Sequence, residues 1–313
     1  MPPKIIVITG PTASGKTWLA VELAKRYNGE VVSADSMQIY RRMDIGTAKP
    51  TPEEMQGVPH HMIDVAGPEE DFSVARYVDM AAAAADGILT RGKLPILAGG
   101  TGLYIDSLLS GRTFAAFDEN SPLRAELEGR YAREGGAVLL RELAQADPEA
   151  AARLHPNDGK RIVRALEVFL TTGKTITQHN KDTKAAPPRY SAVTLSLDFQ
   201  RREDMWDRID RRVDRMMEAG LAEEVRGLLD SGVPQRCTAM QAIGYKEMAA
   251  ALLGDGDIRA AAEEIKLRSR QYAKRQRTWF RRNREAKTLL WGTEPNFAEV
   301  LQRSTAYLEE IGI

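Results

Sequence analysis

Gly10-Pro11-Thr12-Ala13-Ser14-Gly15-Lys16-Thr17 is the stretch whose reading decides the fold. The apolar run Ile5-Ile6-Val7-Ile8 leads into it, and a helix-like stretch from Trp18 to Tyr27 leads out. Strand, glycine-rich turn and helix in this order make G-x-x-x-x-G-K-T a cradle for phosphate; with both flanks in place, a simple βα turn carrying a chance lysine is the poorer reading. Backbone N–H groups of such a turn converge on one point, where the positive end of the following helix adds its field. Lys16 supplies a mobile full charge, and the Thr17 hydroxyl is placed to hold Mg2+. The expected fold is α/β: a P-loop NTPase-like core with a parallel sheet and flanking helices. Which phosphate compound sits there, and whether phosphate is the group transferred, must come from the rest of the chain.

Downstream, Gly29-Glu30-Val31-Val32-Ser33-Ala34-Asp35-Ser36 reads as a short strand ending in a polar turn. Ligands of open parallel sheets gather at the carboxyl ends of strands, so Asp35 is expected near the bound phosphate. A carboxylate beside an anion either holds a metal or handles a proton, or else it caps the next segment. Residues 41–68 are polar and rich in Pro and Gly, and the pair His60-His61 makes a poor chelate and is read as structural. A helix is expected over Ser73 to Thr90. Leu94-Pro95-Ile96-Leu97-Ala98 is then a buried strand that empties into a second glycine turn, Gly99-Gly100-Thr101-Gly102-Leu103-Tyr104, at the same edge of the sheet. Small residues there let a substrate approach the backbone, and Thr101 offers a hydroxyl.

The α/β rhythm stops near Thr113 and returns only at Ser191-Ala192-Val193-Thr194-Leu195-Ser196-Leu197, so a core of residues 1–112 and 190–313 is expected to carry a helical insertion over 113–189. The insertion is polarised: residues 113–152 hold four basic and eight acidic side chains, residues 153–189 eight basic and three acidic. The excess centred on Lys160, Arg161 and Arg164 suits a polyanion, although a solvated helix face carries such charge too. In 201–219, arginines alternate with Asp207, Asp210 and Asp214 and can pair along the helix. Between Ala262 and Arg284 there are nine Lys or Arg residues, with Ile265, Tyr272 and Trp279 at every seventh position as an apolar docking stripe. A closing strand over 288–291 and a helix over 295–310 complete the reading.

The 313 residues balance 44 Lys plus Arg against 44 Asp plus Glu, so only the distribution of charge points to a partner. Cys237 is the one cysteine, which excludes a disulfide framework or a cysteine-rich zinc site. No apolar run reaches membrane-span length and no signal-peptide pattern opens the chain; a cytoplasmic protein without membrane contact, and a monomer, is expected.

Several stretches together resemble one family, the bacterial tRNA dimethylallyltransferases (tRNA isopentenyltransferases). Besides the first glycine turn they are Ser33-Ala34-Asp35-Ser36-Met37-Gln38-Ile39-Tyr40, Met43-Asp44-Ile45-Gly46-Thr47-Ala48-Lys49-Pro50, Gly99 to Tyr104, His155-Pro156-Asn157-Asp158 with Arg161 to Glu167, Ala242-Ile243-Gly244-Tyr245-Lys246-Glu247, and Tyr272 to Gln276 with Thr278-Trp279-Phe280. They span nearly the whole chain in the family's order. The resemblance implies transfer of a dimethylallyl group from dimethylallyl diphosphate to the exocyclic N6 amine of the adenosine 3′-adjacent to the tRNA anticodon. It makes Asp35 the catalytic carboxylate and Thr101 a substrate-contacting hydroxyl. Gly10, Pro11, Thr12, Ala13, Ser14, Gly15, Lys16 and Thr17 would hold the diphosphate, with Mg2+ on Thr17. Arg208 or Arg212 can add a further clamp; Arg208 is the assignment taken, the sequence leaving the choice open. The stretches matching tRNA contacts are Asp35, Ser36, Met37 and Gln38, Thr101, Arg124, Gly159, Lys160, Arg161, Ile162 and Val163, Gln241, Gly244, Tyr245 and Lys246, and Lys274, Arg275, Gln276, Arg277 and Arg281.

Residue chemistry makes this sensible: a weakly nucleophilic adenine amine needs a base, and a departing diphosphate needs fixed donors. The target base must leave its stack to react. Two other enzymes compete with this reading. A P-loop small-molecule kinase leaves the basic helix unexplained, and an adenylate isopentenyltransferase acting on free AMP needs neither basic segment. A nucleotide-gated RNA-binding protein without chemistry would have no use for Asp35.

Overall fold

The computed structural model describes residues 2–111, 121–185, 187–254 and 256–313. The backbone divides into two compact units, residues 1–109 with 189–313, and residues 110–188. The junction expected at Thr113 falls outside the described residues.

The larger unit opens with β1 (Lys4–Thr9), the glycine turn and α1 (Lys16–Arg26). Gly15 caps this helix at φ 83°, a left-handed conformation that glycine adopts without Cβ strain, which is what lets the chain turn from strand to helix within the motif. Then follow β2 (Gly29–Ser33), α2 (Pro52–Met55), β3 (His60–His61), α3 (Val74–Thr90), capped by the Ser73 hydroxyl, β4 (Leu94–Ala98) and α4 (Gly102–Leu109). After the inserted unit come β5 (Ser191–Phe199), α10 (Arg202–Glu218), α11 (Leu221–Asp230), α12 (Tyr245–Leu253), α13 (Ile258–Phe280), β6 (Lys287–Trp291) and α14 (Phe297–Glu310). The six strands form one parallel sheet in the order β3-β2-β4-β1-β5-β6. Buried on both faces, β1 is a nearly continuous apolar run, whereas β5 alternates apolar with polar residues; their Ile6, Ile8, Leu195 and Leu197 pack with Leu19 and Leu23 of α1, Ile209 of α10 and Trp291 of β6.

All strands being parallel, the segments after β1, β2, β4 and β5 leave at one edge, which brings both glycine turns and Asp35 together. His60 and His61 lie on the edge strand. His61 Nε2 is 2.7 Å from Glu30 Oε2, and His60 Nδ1 is 2.8 Å from the Val58 carbonyl, so both have structural partners.

The inserted unit contains α5 (Pro122–Glu134), α6 (Gly136–Ala146), α7 (Pro148–Ala151), α8 (Gly159–Thr172) and α9 (Ile176–Ala185). Its core joins Leu127, Leu139, Leu143, Ile162, Val163 and Leu166. A buried carboxylate, Glu167, accepts from Arg124 at 2.8 Å and from Arg164 at 2.7 Å, tying α5 to α8.

Candidate active site

A cavity of about 300 Å³ opens at the carboxyl edge of the sheet, lined among others by Thr12, Asp35, Arg212, Gln241, Tyr272 and Arg275. Its walls are two helical stripes. Ile209, Arg212, Val213 and Met216 of α10 fall on one face at i, i+3, i+4 and i+7, and Ile265, Ser269, Tyr272 and Arg275 of α13 face them. Arg270–Asp210 and Lys266–Asp214 ion pairs, each 2.7 Å, hold the helices together behind the stripes.

The glycine turn is partly committed to its own architecture. Ser14 N–H donates to the Pro11 carbonyl at 3.3 Å, the Trp291 indole donates to the Ser14 carbonyl at 2.8 Å, and Lys16 Nζ donates to the Pro11 carbonyl at 2.7 Å. The buried Ser14 hydroxyl has no hydrogen-bond partner among the described residues. Burial, and after it the nearby Arg212 guanidinium, push the Lys16 ammonium down to about 7, with Asp35 opposing. A bound anion would restore that proton. Relative to a Lys16→Met control, affinity for inorganic diphosphate should therefore fall as pH rises above about 7, with proton uptake on binding visible by calorimetry in buffers of different ionisation heat. The sign for the ligand-free fold is opposite. The unfolded chain holds the Lys16 proton up to its ordinary 10.5, so stability rises with pH between about 7 and that value.

Asp35 follows β2 and both caps and faces the cavity. Its Oδ1 accepts from Met37 N at 2.9 Å and from Gln38 N at 3.4 Å, which fixes the carboxylate in the turn. Thr101 reaches across from the second glycine turn: its Oγ1 accepts from Ser36 N at 3.0 Å and lies 3.3 Å from Ser36 Oγ. Burial pushes the Tyr272 phenol, which is within reach of Thr101, up to about 12, so it stays protonated.

Arg212 and Arg208, one helical turn apart, have different surroundings. The Arg212 guanidinium is buried close enough to Lys16 and Asp35 to shift or be shifted by them, and its one hydrogen bond among the described residues goes to the Thr47 carbonyl at 3.5 Å. Arg208 instead lies over the rings of Phe199, Trp291 and Phe297, at 5.6, 5.3 and 6.0 Å. Of the two, Arg212 lines the cavity, while Arg208 lies against the rings, its Nη1 buried without a hydrogen-bond partner among the described residues.

The expected tRNA-contact residues separate into two groups. Lys160, Arg161, Gln241, Lys246, Lys274 and Arg275 are exposed, and Met37 and Gly244 line the cavity. The others are engaged inside the fold. Ile162 and Val163 are core residues of the inserted unit, Gly159 packs on the Tyr131 ring, and Arg124 pairs with Glu167. Gln38 donates to the Ala48 carbonyl at 3.2 Å, and the buried Tyr245 hydroxyl donates to Glu224 at 2.6 Å. Glu224 in turn accepts from the N–H groups of Asp44, Ile45 and Gly46, fastening the loop that carries Thr47. Arg277 is ion-paired to Asp198 at the end of β5 at 2.6 Å, and the exposed Arg281 reaches the same carboxylate at 3.2 Å. Gln276 is 5% exposed and bonded to both glycine turns. A run of basic residues says which helix is charged; only packing says which of them are already neutralised.

A family model described as IPP transferase matches residues 38–283, and one described as isopentenyl transferase matches residues 3–69. The chain belongs to the IPP transferase family. Its relatives within that family include a tRNA dimethylallyltransferase of Acetivibrio thermocellus, 44% identical over 312 residues that cover 99% of this chain and 98% of the relative. Among solved structures, the full-length tRNA isopentenylpyrophosphate transferase from Bacillus halodurans is 42% identical, with a TM-score of 0.72 over 98% of this chain and 96% of that one. A eukaryotic dimethylallyltransferase captured acting on tRNA has 28% identity and a TM-score of 0.82 over 98% of this chain and 80% of its own. The family's parallel six-stranded core is thus the fold expected from the glycine turn and its flanks.

Proposed function

We propose that this IPP transferase family member moves a dimethylallyl group from dimethylallyl diphosphate to the N6 amine of the adenosine 3′-adjacent to the tRNA anticodon. The observation that carries the reading is that Asp35 and Arg212 line one cavity with Lys16 close enough for both to act on its charge, so that two desolvated cations and one carboxylate meet at the glycine turn. The cations fit a diphosphate, and the carboxylate fits the nitrogen that attacks. As the new C–N bond forms, the amine must lose a proton. Oδ1 of Asp35 is occupied by backbone donors, so Oδ2 is the oxygen that remains to take it. Thr101, fixed against Ser36, orients the amine or a phosphate oxygen beside it. On the donor side, Lys16, Arg212 and the Ser14 hydroxyl face the charge that grows on the departing diphosphate.

Thr17, the second residue of α1, offers a hard oxygen suited to Mg2+. Among the described residues no group of three His, Cys, Asp or Glu could hold a metal, so the remaining ligands would be diphosphate oxygens and water, an ordinary arrangement for this ion. Bound there, Mg2+ supplies charge neutralisation to the leaving group.

Lys160, Arg161, Lys274 and Arg275, all exposed, are the basic groups we assign to the RNA backbone. Neutralising Lys160 and Arg161 together should weaken tRNA binding and reduce the slope of log affinity against log salt by roughly one to two, leaving diphosphate affinity unchanged. An unaltered slope, measured by filter binding across salt, would return α8 to an ordinary solvated face. The decisive assay for the reaction is incubation with labelled dimethylallyl diphosphate, Mg2+ and an unmodified tRNA whose anticodon is followed by adenosine. Label is expected on the RNA; label on AMP instead would make the protein an adenylate isopentenyltransferase, and ATP consumption without prenyl transfer would make it a kinase.

A further inference from the structure

Gln276 lies near the C-terminal end of α13, a helix whose outer face is basic, yet it is buried to 5% exposure and spends both ends of its amide on the two glycine turns. Its Oε1 accepts from Thr12 N at 2.8 Å, and its Nε2 donates to the Gly100 carbonyl at 3.0 Å. The turn residue Gly100 has no side chain where one would stand: a Cβ there would collide with Nε2. The first turn holds Lys16 and the donor's phosphates in the reading above. The second leads directly into Thr101, which is bonded to Ser36 beside Asp35. Gln276 therefore spans the gap between the donor half of the site and the acceptor half.

From this we infer that Gln276 is a positioning residue that sets the separation of the two glycine turns, and with it the distance between the prenyl carbon and the amine. The inference rests on the prenyl-transfer reading of the site. The neighbouring braces do not duplicate the span. Thr101 N–H bonds to the Ala34 carbonyl and Gly99 N–H to the Ile8 carbonyl, which hold the second turn to β2 and β1 but leave the Thr12 segment free of it. Thr12 N–H is taken up by Gln276 Oε1 and is therefore not among the groups assigned to the donor's phosphates. Each substrate keeps its own binding groups when the span is cut. The effect should fall on the reaction step, because a shift of an ångström between bound reactants removes about a hundredfold in rate.

The test uses full-length protein with the Gln276→Met and Gln276→Glu substitutions, assayed with dimethylallyl diphosphate, Mg2+ and unmodified tRNA. Methionine keeps the length and apolar stem while removing both hydrogen bonds. Glutamate keeps the acceptor for Thr12 N–H and sets a second oxygen against the Gly100 carbonyl. For both, kcat should fall by about a hundredfold, while KM for the donor and the Kd for tRNA stay within about threefold. A rise in donor KM with kcat unchanged would make Gln276 part of the diphosphate cradle and overturn the inference, as would normal kinetics. If either variant melts well below the parent, measuring bound-complex turnover at a temperature where its circular dichroism is native keeps the comparison valid; native-like turnover there also overturns it. Wild-type protein that transfers no prenyl group to any acceptor would instead overturn the functional reading, so the two failures are distinct.

Discussion

Asp35→Asn should lower turnover by roughly two to four decades with little change in tRNA affinity. The amide keeps the shape of the carboxylate, and its Oδ1 can still accept from Met37 N and Gln38 N, so the turn after β2 should survive. What it lacks is an oxygen able to take a proton from the amine. Adenine's exocyclic nitrogen has its lone pair drawn into the ring, so the new C–N bond forms only as that proton leaves. Single-turnover measurement of the enzyme–RNA–donor complex isolates this step from binding. Turnover within tenfold of the parent would remove Asp35 from the role of base and leave it a cap on the following turn.

Arg212→Met should reduce kcat/KM for the prenyl donor by roughly two to three decades, while Arg208→Met changes it by less than about tenfold. Arg212 is a half-buried cation beside a second one, Lys16, and its one hydrogen bond among the described residues, to the Thr47 carbonyl, is long at 3.5 Å. Without an anion the two cations repel, and burial already holds both below their ordinary proton affinity. The ligand-free variant should consequently melt at or above the temperature of the parent, because that repulsion is gone. Loss of donor use combined with undiminished thermal stability is the signature of a group kept for its ligand. Equal donor kinetics in parent and variant would return the clamp to Arg208, whose guanidinium is stacked on Phe199, Trp291 and Phe297.

Much of the architecture was legible from local pattern. Ile5 to Ile8, the glycine turn and the following helix specify a strand–turn–helix unit from near neighbours alone, and Leu94 to Gly102 repeats the strand and turn. Parallel pairing then places both turns at one edge. Asp35 and Thr101 were legible for the same reason, as polar residues immediately after strands β2 and β4. The division of the basic residues was not. Lys274, Arg275, Gln276 and Arg277 read alike along the chain, but consecutive positions on a helix point some 100° apart, toward different neighbours. Arg275 reaches the cavity, Gln276 turns inward to the glycine turns, and Arg277 finds Asp198. In α8, likewise, Arg161 is exposed while the adjacent Ile162 and Val163 form core.

The sequence by itself determined the phosphate cradle, the sheet that supports it and the identity of the carboxylate at its edge, because each depends on residues within a few positions of one another. The tertiary structure alone decided that Arg212 rather than Arg208 faces the cavity, that Arg277 and Gln276 serve the fold instead of lying open to RNA, and that one amide spans both glycine turns. Those outcomes depend on which side chain meets which partner across 79 to 264 residues of chain, and no local periodicity encodes that.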